Sequence, residues 1–176
     1  HVEICSMLID KCANINAQKE DRQTALILAL LKGHKKVVQL LLEKGANVNL
    51  SDNKQCTALH IAAQEGHVDI CSMLIDKCAN INAQKEDRQT ALILASSKGD
   101  RHVEKEANLN LRDNEQSTAL HWAARKGHFD ICSMLIDKCA NINAQNKNGY
   151  TALMLASSNG NTDIAQLLLE RQANVN

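Results

Sequence analysis

Small and large apolar residues follow one another in a fixed order along this chain, as the segment Asp52–Gln84 shows. Ala58–Gln64 carries small apolar residues at the spacing of one helix face, which predicts a short helix with Thr57 as its N-cap. Gly66 ends this helix. Asp69–Lys77 carries larger apolar residues and predicts a second helix, and Ala79–Asn82 is predicted to run extended. One such pair of helices cannot bury its own apolar faces, so the pattern predicts stacked copies.

The same order of residues recurs along the whole chain. The block CSMLIDKCANINAQ occurs three times unchanged, at residues 5–18, 71–84 and 132–145. Thr-Ala-Leu triplets begin at Thr24, Thr57, Thr90, Thr118 and Thr151, at intervals of 33, 33, 28 and 33 residues. A period of 33 residues is typical of ankyrin repeats.

Longer motifs carry the same resemblance. They are Thr57–Ala63 (TALHIAA) with Gly66-His67, Thr118–Ala124 (TALHWAA) with Gly127-His128, and Leu40–Asn49 (LLLEKGANVN). On these motifs the sequence resembles the ankyrin repeat family over its whole length. The resemblance implies an all-α solenoid of stacked helix-turn-helix layers joined by β-turn or hairpin loops.

We divide the single domain, residues 1–176, into one partial copy and five further copies. The partial copy is residues 1–18, and it predicts a lone second helix at Val2–Lys11. The others are residues 19–51, 52–84, 85–112, 113–145 and 146–176, of which 85–112 is truncated. Because the chain begins inside a repeat and without Met, we expect it to be a fragment of a longer protein.

Two glycines of the family pattern are mostly replaced. The turn glycine survives only as Gly149, and Arg22, Gln55, Arg88 and Gln116 stand at its other positions. The glycine after the second helix survives only as Gly45, and Cys12, Cys78, Glu106, Cys139 and Gln172 stand elsewhere. If these positions need a left-handed backbone, each side chain costs roughly 1 kcal/mol. We therefore expect a stack less stable than an idealised one.

The interval of 28 residues lies between Thr90 and Thr118. Alignment with the first complete copy leaves no counterpart for Val38–Leu42. We expect at most one irregular helical turn at Asp100–Glu106, a local kink, and exposed apolar surface on the neighbouring second helices. Two explanations stay open: either the protein itself lacks these five residues, or the recorded sequence omits them.

Composition argues against several classes of function. Lys plus Arg and Asp plus Glu both number 20, and only three residues are aromatic, so nothing favours nucleic-acid binding. No apolar run is long enough to span a bilayer, so we expect no membrane insertion. Seven scattered cysteines fit a reducing compartment. We expect a monomer inside the cell, in the cytoplasm or nucleus.

Catalytic and metal-binding patterns find no support. There is no CxxC, no zinc spacing of Cys and His, no phosphate-binding glycine loop, no GxSxG and no HExxH. The family resemblance implies that His60 and His121 bond backbone groups and the threonine hydroxyl. Cys5, Cys71 and Cys132 replace apolar residues and predict packing. We expect no enzyme, no cofactor and no metal.

The resemblance implies that the turn tips and the exposed side of the first helices form a concave face that binds another protein. The predicted contact residues are Gln23, Leu31, Lys32, Asn53, Lys54, Cys56, Gln64, Glu65, Gln89, Lys98, Glu115, Ser117, Trp122, Arg125, Lys126, Lys147, Tyr150, Ser158 and Asn159. Trp122 and Tyr150 are the best anchors, since aromatic residues supply contact area at low entropic cost. Trp122 could equally belong mostly to the core.

Two other functions stay open. Asparaginyl hydroxylases modify ankyrin repeats at an asparagine with leucine eight residues before it, and Asn16, Asn49, Asn82 and Asn143 meet this condition. The family's acidic residue two positions earlier is asparagine in every copy here. The stack could also be a regulatory or targeting segment of a larger enzyme or channel.

Overall fold

The computed structural model describes residues 2–100 and 107–175, and these residues form ten α-helices. The helices are α1 (Val2–Asp10), α2 (Ala25–Leu31), α3 (Lys35–Glu43), α4 (Ala58–Glu65), α5 (Val68–Asp76), α6 (Ala91–Lys98), α7 (Ala119–Lys126), α8 (Phe129–Asp137), α9 (Ala152–Ser158) and α10 (Thr162–Glu170). Within these two ranges the only β-pairing is an isolated antiparallel bridge between Ser51 and Thr57. The predicted all-α architecture is confirmed.

The helices are arranged in layers. The first helices α2, α4, α6, α7 and α9 pack side by side in chain order, and each second helix packs on the first helix of its own layer. The pairs α2/α3, α4/α5, α7/α8 and α9/α10 form the first, second, fourth and fifth layers. Helix α6 is the helix described in the third layer. The lone helix predicted at Val2–Lys11 is α1, one residue shorter, and it packs on α3.

Threonine begins every first helix. The Thr24 hydroxyl accepts the N–H of Ile27 at 3.2 Å, and Thr90 caps α6 in the same way. Such a bond satisfies one of the N–H groups that the first helical turn leaves without a partner. The predicted N-cap at Thr57 is also confirmed, because its side chain takes part in a capping box.

The core lies between the layers and uses small residues on the first helices. Ala62, Ala95 and Ala123 are fully buried, as are Leu74 and Leu135 on the second helices. Small side chains let the first helices approach closely, while the leucines fill the space behind them. Among the residues that the structure describes, the buried side chains form two clusters that divide at α6.

Replacement of the family glycines does not change the backbone that the positions require. Arg22, Gln55, Arg88 and Gln116 have φ between 58° and 63°, and Cys12, Cys78, Cys139 and Gln172 have φ between 60° and 64°. The left-handed conformation is therefore confirmed at eight of the nine replaced positions. The ninth, Glu106, lies outside the described residues.

The extended segment predicted at Ala79–Asn82 is wrong. Asn80 Oδ1 accepts the N–H of Asn82 at 3.1 Å, and the N–H of Ala83 donates to the carbonyl of Asn80 at 3.1 Å. Asparagine bonds its own backbone two residues on more readily than it extends, and this closes a turn.

The irregular segment expected at Asp100–Glu106 lies outside the described residues, except for Asp100, which is buried. Residues on either side nevertheless keep the register of the stack. Asn82 Oδ1 accepts the N–H of Asn108 at 2.8 Å over 26 residues, whereas Asn49 makes the same bond to Asn80 at 2.7 Å over 31 residues. The difference of five residues therefore falls between Asn82 and Asn108.

Candidate partner-binding surface

Neighbouring turn tips are joined by backbone hydrogen bonds. The N–H of Asn53 donates to the carbonyl of Asp21 at 3.0 Å, and the N–H of Glu86 donates to that of Lys54 at 2.9 Å. In the later copies, the N–H of Asn114 donates to the carbonyl of Asp87 at 3.0 Å, and that of Lys147 to the carbonyl of Glu115 at 2.9 Å. One bond of this kind links each pair of consecutive copies. The tip side chains are therefore presented on a continuous, ordered edge.

Three of the five turn tips begin with Asp or Asn, and the side chain of that residue closes the turn. Asp52 Oδ1 accepts the N–H groups of Lys54 and Cys56, both at 2.9 Å. Asp113 and Asn146 do the same in the fourth and fifth tips. Asp and Asn favour such turns because their short side chains reach the backbone two residues on.

The first and third tips, both KEDRQ, use an ion pair instead. Lys19 Nζ lies 2.9 Å from Asp21 Oδ2, and Lys85 pairs with Asp87. The hydrogen bond from Lys19 lowers the pKa of Asp21. Burial is the largest single influence on the pKa of Asp87 and raises it. The hydrogen bonds from Lys85 and from the backbone N–H of Gln89, together with the charge of Lys85, lower the pKa by more, so the net shift is downward. These lysines are already engaged within their own tips.

Trp122 on α7 is held from two sides. Its indole N–H donates to Asp113 Oδ2 at 2.9 Å, and the Arg125 guanidinium lies 5.7 Å from the ring centroid. Asp113 is only 3% exposed, whereas Trp122 is half-buried. The ring thus belongs partly to the core and partly to the surface, in one fixed orientation.

The carbonyls that end α6 and α7 are capped from the following layer. His128 Nε2 lies 3.2 Å from the carbonyl oxygen of Ser97, and Asn161 Nδ2 donates to the carbonyl of Ala124 at 2.8 Å. A Cβ at Gly99 would lie 3.0 Å from His128 Nδ1, and one at Gly127 3.0 Å from Asn161 Oδ1. Glycine therefore permits both the left-handed helix ends and the close approach of these caps.

A cavity of about 310 Å³ opens between the first helices of the first two layers and the tips beside them. Leu31, Cys56 and Ile61 form its apolar part. Polar side chains complete the lining, namely Asp52, Lys54, Gln64, Glu65 and Lys85. Burial raises the pKa of Cys56 to about 11, so its sulfur is a neutral thiol at physiological pH.

The two histidines of the Thr-Ala-Leu-His motif join one layer to the next. The N–H of Thr57 donates to His60 Nδ1 at 3.2 Å, which leaves the ring proton on Nε2. This nitrogen lies 3.0 Å from the carbonyl oxygen of Ala83 in the same copy and 3.2 Å from that of Gln89 in the next copy. His121 is bonded in the same way to Thr118 and to the carbonyl of Tyr150. Burial lowers the pKa of both imidazoles, which supports their predicted structural role.

The cysteines are all free thiols. Cys71 and Cys132 are fully buried, as predicted, and burial raises the pKa of each to about 12. Cys5 is half-buried against the core. Across residues 2–100 and 107–175, no group of three His, Cys, Asp or Glu side chains could hold a metal ion. None of the ten described helices is long and apolar enough to cross a membrane.

A row of asparagines lies near the end of successive copies. In each, the side-chain oxygen accepts the N–H of an asparagine in the next copy, at 2.7–2.9 Å. The pairs, acceptor first, are Asn16 with Asn47, Asn49 with Asn80, Asn82 with Asn108, Asn110 with Asn141, and Asn143 with Asn174. The four asparagines predicted as hydroxylation sites are among these acceptors. Each therefore carries a hydrogen bond between consecutive copies.

Comparison with protein families agrees with this architecture. A family described as ankyrin repeats (many copies) matches residues 1–42 and 28–75, and one described as ankyrin repeats (3 copies) matches residues 100–176. The chain belongs to the ankyrin repeat family. Ankyrin repeats generally act as modules for protein–protein interaction. No curated protein matches the chain.

The ankyrin stack leaves most of the predicted contact residues accessible. Those exposed are Leu31, Lys32, Asn53, Lys54, Gln64, Glu65, Lys98, Glu115, Arg125, Lys126, Lys147, Tyr150, Ser158 and Asn159. Those half-buried are Gln23, Cys56, Gln89 and Trp122.

Ser117 needs correction, because it is only 7% exposed. Its N–H donates to the buried carboxylate of Asp113 at 2.9 Å, so the residue lies beneath its tip. We therefore leave Ser117 out of the contact surface.

The sequence analysis also missed residues that the ankyrin stack adds to this surface. Leu28 is 37% exposed and Lys85 lines the cavity, whereas Ile61 is only 5% exposed and reaches the surface only as part of the cavity wall. Leu28 and Ile61 share with Trp122 the fourth position after the helix-capping threonine. That shared position was the signal that could have found them.

Proposed function

We propose that this ankyrin stack binds a partner protein or peptide on the face formed by its turn tips and first helices, and that it is not an enzyme. The observation that supports this most is the environment of Trp122. A half-buried aromatic ring with a fixed hydrogen bond, beside the exposed Arg125 and Lys126, has the character of an interface anchor. The Leu31–Cys56–Ile61 cavity offers a second place for an apolar side chain.

The chemistry of the described side chains supports a role without catalysis. His60 and His121 use both ring nitrogens in structural hydrogen bonds, and burial disfavours their protonation. Cys56, Cys71 and Cys132 have raised pKa values, and a thiol is a much weaker nucleophile than a thiolate. We further propose a monomer that works inside the cell, in the cytoplasm or nucleus, which suits seven free thiols.

Substitution on the proposed face tests this function. We expect Arg125→Glu, Lys126→Glu and Tyr150→Ala to weaken capture of the partner while the melting temperature moves by only a few degrees. Exposed side chains of this kind usually change stability by less than about 0.5 kcal/mol. Affinity capture with crosslinking and mass spectrometry measures the first effect, and thermal melting measures the second.

The matched control is Lys35→Glu with Lys36→Glu, two exposed residues that begin α3 on the second-helix side. This variant should capture the partner as the unchanged chain does. Loss of capture in the control, with retention in the Arg125, Lys126 and Tyr150 variants, would move the binding site to the opposite face.

Hydroxylation of Asn16, Asn49, Asn82 and Asn143 is the alternative proposal. Asn49 and Asn82 are exposed, although their side-chain oxygens hold the next copy. Intact mass and peptide mapping of the cellular protein would show one added oxygen atom at each modified asparagine. A role as a regulatory or targeting segment of a larger enzyme or channel would be decided by the sequence that flanks residues 1–176.

A further inference from the structure

We propose that the partner presents an extended acidic segment to the ends of α6 and α7, with carboxylates three residues apart lying against Lys98 and Lys126. This inference rests on the proposed function, since it concerns the same face. It adds the chemical class of the partner and the spacing of the groups that recognise it.

Charge is distributed unevenly along this face. The eighth position after the capping threonine is Lys32, Glu65, Lys98, Lys126 and Asn159 in successive layers. The third and fourth layers therefore present lysine side by side, and Arg125 precedes Lys126. No acidic residue occupies the last two positions of α6 or α7. Because Lys plus Arg equals Asp plus Glu in the chain as a whole, this excess of positive charge is local.

These three cations form no ion pair within the described part of the fold. The ion pairs between described residues involve Lys19, Lys44, Lys85 and Arg171. Within residues 2–100 and 107–175, Lys98, Arg125 and Lys126 have no carboxylate partner, and the Arg125 guanidinium lies 5.7 Å from the centroid of the Trp122 ring. The carbonyls that end α6 and α7 accept hydrogen bonds from His128 and Asn161. Helix capping therefore does not account for the three cations.

The layer spacing sets the spacing of the ligand. Packed helices lie about 8–10 Å apart, and a peptide in the extended polyproline II conformation advances about 3.1 Å per residue with about three residues per turn. Three residues of such a chain therefore span one layer and bring the side chain back to the same face. A carboxylate opposite Lys98 places the carboxylate three residues away opposite Lys126, and an apolar side chain between them reaches Trp122. Glu65, one layer before Lys98, repels a third carboxylate and limits the register.

Trp122 provides the readout, because it is the only tryptophan of the chain. The probe is a short synthetic peptide in which glutamate recurs at every third position. The comparison peptide has the same composition with the glutamates grouped together. Titration of the whole chain should change the Trp122 fluorescence with the first peptide at concentrations at least about tenfold lower than with the second. Rising salt should weaken this binding.

Charge reversal tests the residues themselves. Lys98→Glu with Lys126→Glu should weaken binding of the glutamate peptide at least about tenfold, and a peptide with lysine at every third position should then bind the variant. Lys35→Glu with Lys36→Glu changes the net charge equally and should leave binding unchanged. Circular dichroism of each variant confirms that it is folded.

Several outcomes would overturn the proposal. They are equal binding of the two glutamate peptides, binding of neither, and equal competition by a single-stranded thymidine oligonucleotide, which would indicate a general anion site. The cellular partner separates this failure from that of the proposed function. If its capture is lost in Arg125→Ala with Tyr150→Ala but not in Lys98→Glu with Lys126→Glu, the face binds a partner of different chemistry.

Discussion

Side chains occupy the left-handed backbone positions of this stack where relatives in its family carry glycine. Cys78 and Cys139 follow α5 and α8 with φ of 60° and 63°, and both are exposed. A Cβ in this conformation approaches the following carbonyl oxygen, which glycine avoids. The cost recurs in each copy, so single residues affect the stability of the array.

Glycine at these positions should stabilise the chain. We expect Cys78→Gly and Cys139→Gly each to raise the free energy of unfolding by about 1 kcal/mol, since the relief of strain exceeds the greater chain entropy of glycine. Urea denaturation measures the change. Cys78→Ala is the control, because it removes the thiol and keeps the Cβ. Equal stability of the glycine and alanine variants would contradict this account of strain.

The Thr-Ala-Leu-His helix start is the element that makes stability depend on pH. His60 is 1% exposed and His121 is 2% exposed, and both are held as the neutral imidazole with the proton on Nε2. Lys85 and Asp87 lie near His60, and Arg112 and Asp113 lie near His121, but burial is the largest cause of each lowered pKa. Protonation would place a charge between layers and remove the bond from the threonine N–H.

Acidification should therefore destabilise the stack. In the unfolded chain both histidines bind protons as the pH falls below about 6.5, while in the folded chain they stay neutral to lower pH. Stability is then fully present above pH 6.5 and falls as the pH drops toward the lowered folded pKa, by up to about 1.4 kcal/mol per pH unit for each histidine.

Urea denaturation between pH 7.5 and 5.5 measures this slope. The lowered pKa values of Asp21 and Asp87 act below this window, so they do not contribute. His60→Gln with His121→Gln should be less stable at neutral pH but should show a flatter pH profile. An unchanged slope in that variant would assign the pH dependence to other groups.

Across residues 2–100 and 107–175, the buried apolar side chains form two hydrophobic clusters. Leu26, Leu59 and Leu74 belong to the first cluster, and Leu120 and Leu135 belong to the second. Helix α6 contributes to both, since Leu94 and Ala95 face one cluster and Leu92 and Ile93 face the other. In repeat proteins each layer contacts only its neighbours, so coupling between the halves passes through such a junction.

Destabilising one cluster should separate the unfolding of the two halves. Leu59 is 1% exposed, and we expect Leu59→Ala to cost about 2–5 kcal/mol in the first cluster. Circular dichroism reports both halves, whereas fluorescence reports Trp122 in the second. In the variant, part of the helical signal should be lost at a lower urea concentration than the change in fluorescence. Coincident transitions would show that α6 couples the clusters fully.

The sequence by itself determined the repeat, the order of helices, the threonine caps and the left-handed positions. These features depend on residues a few positions apart within one copy, and three unchanged copies of one block made the period readable. The turn at Asn80–Ala83 was also local, but the competing side-chain bond of Asn80 was not recognised.

Only the tertiary structure decided which side chains are accessible and what each one bonds. Ser117 is buried because Asp113 draws its N–H inward, and Trp122 is held in place by the same carboxylate. Asn49 and His60 bond backbone groups of the following copy, 31 and 29 residues away. Such contacts depend on how layers pack, since stacking brings together groups that no single copy can satisfy alone.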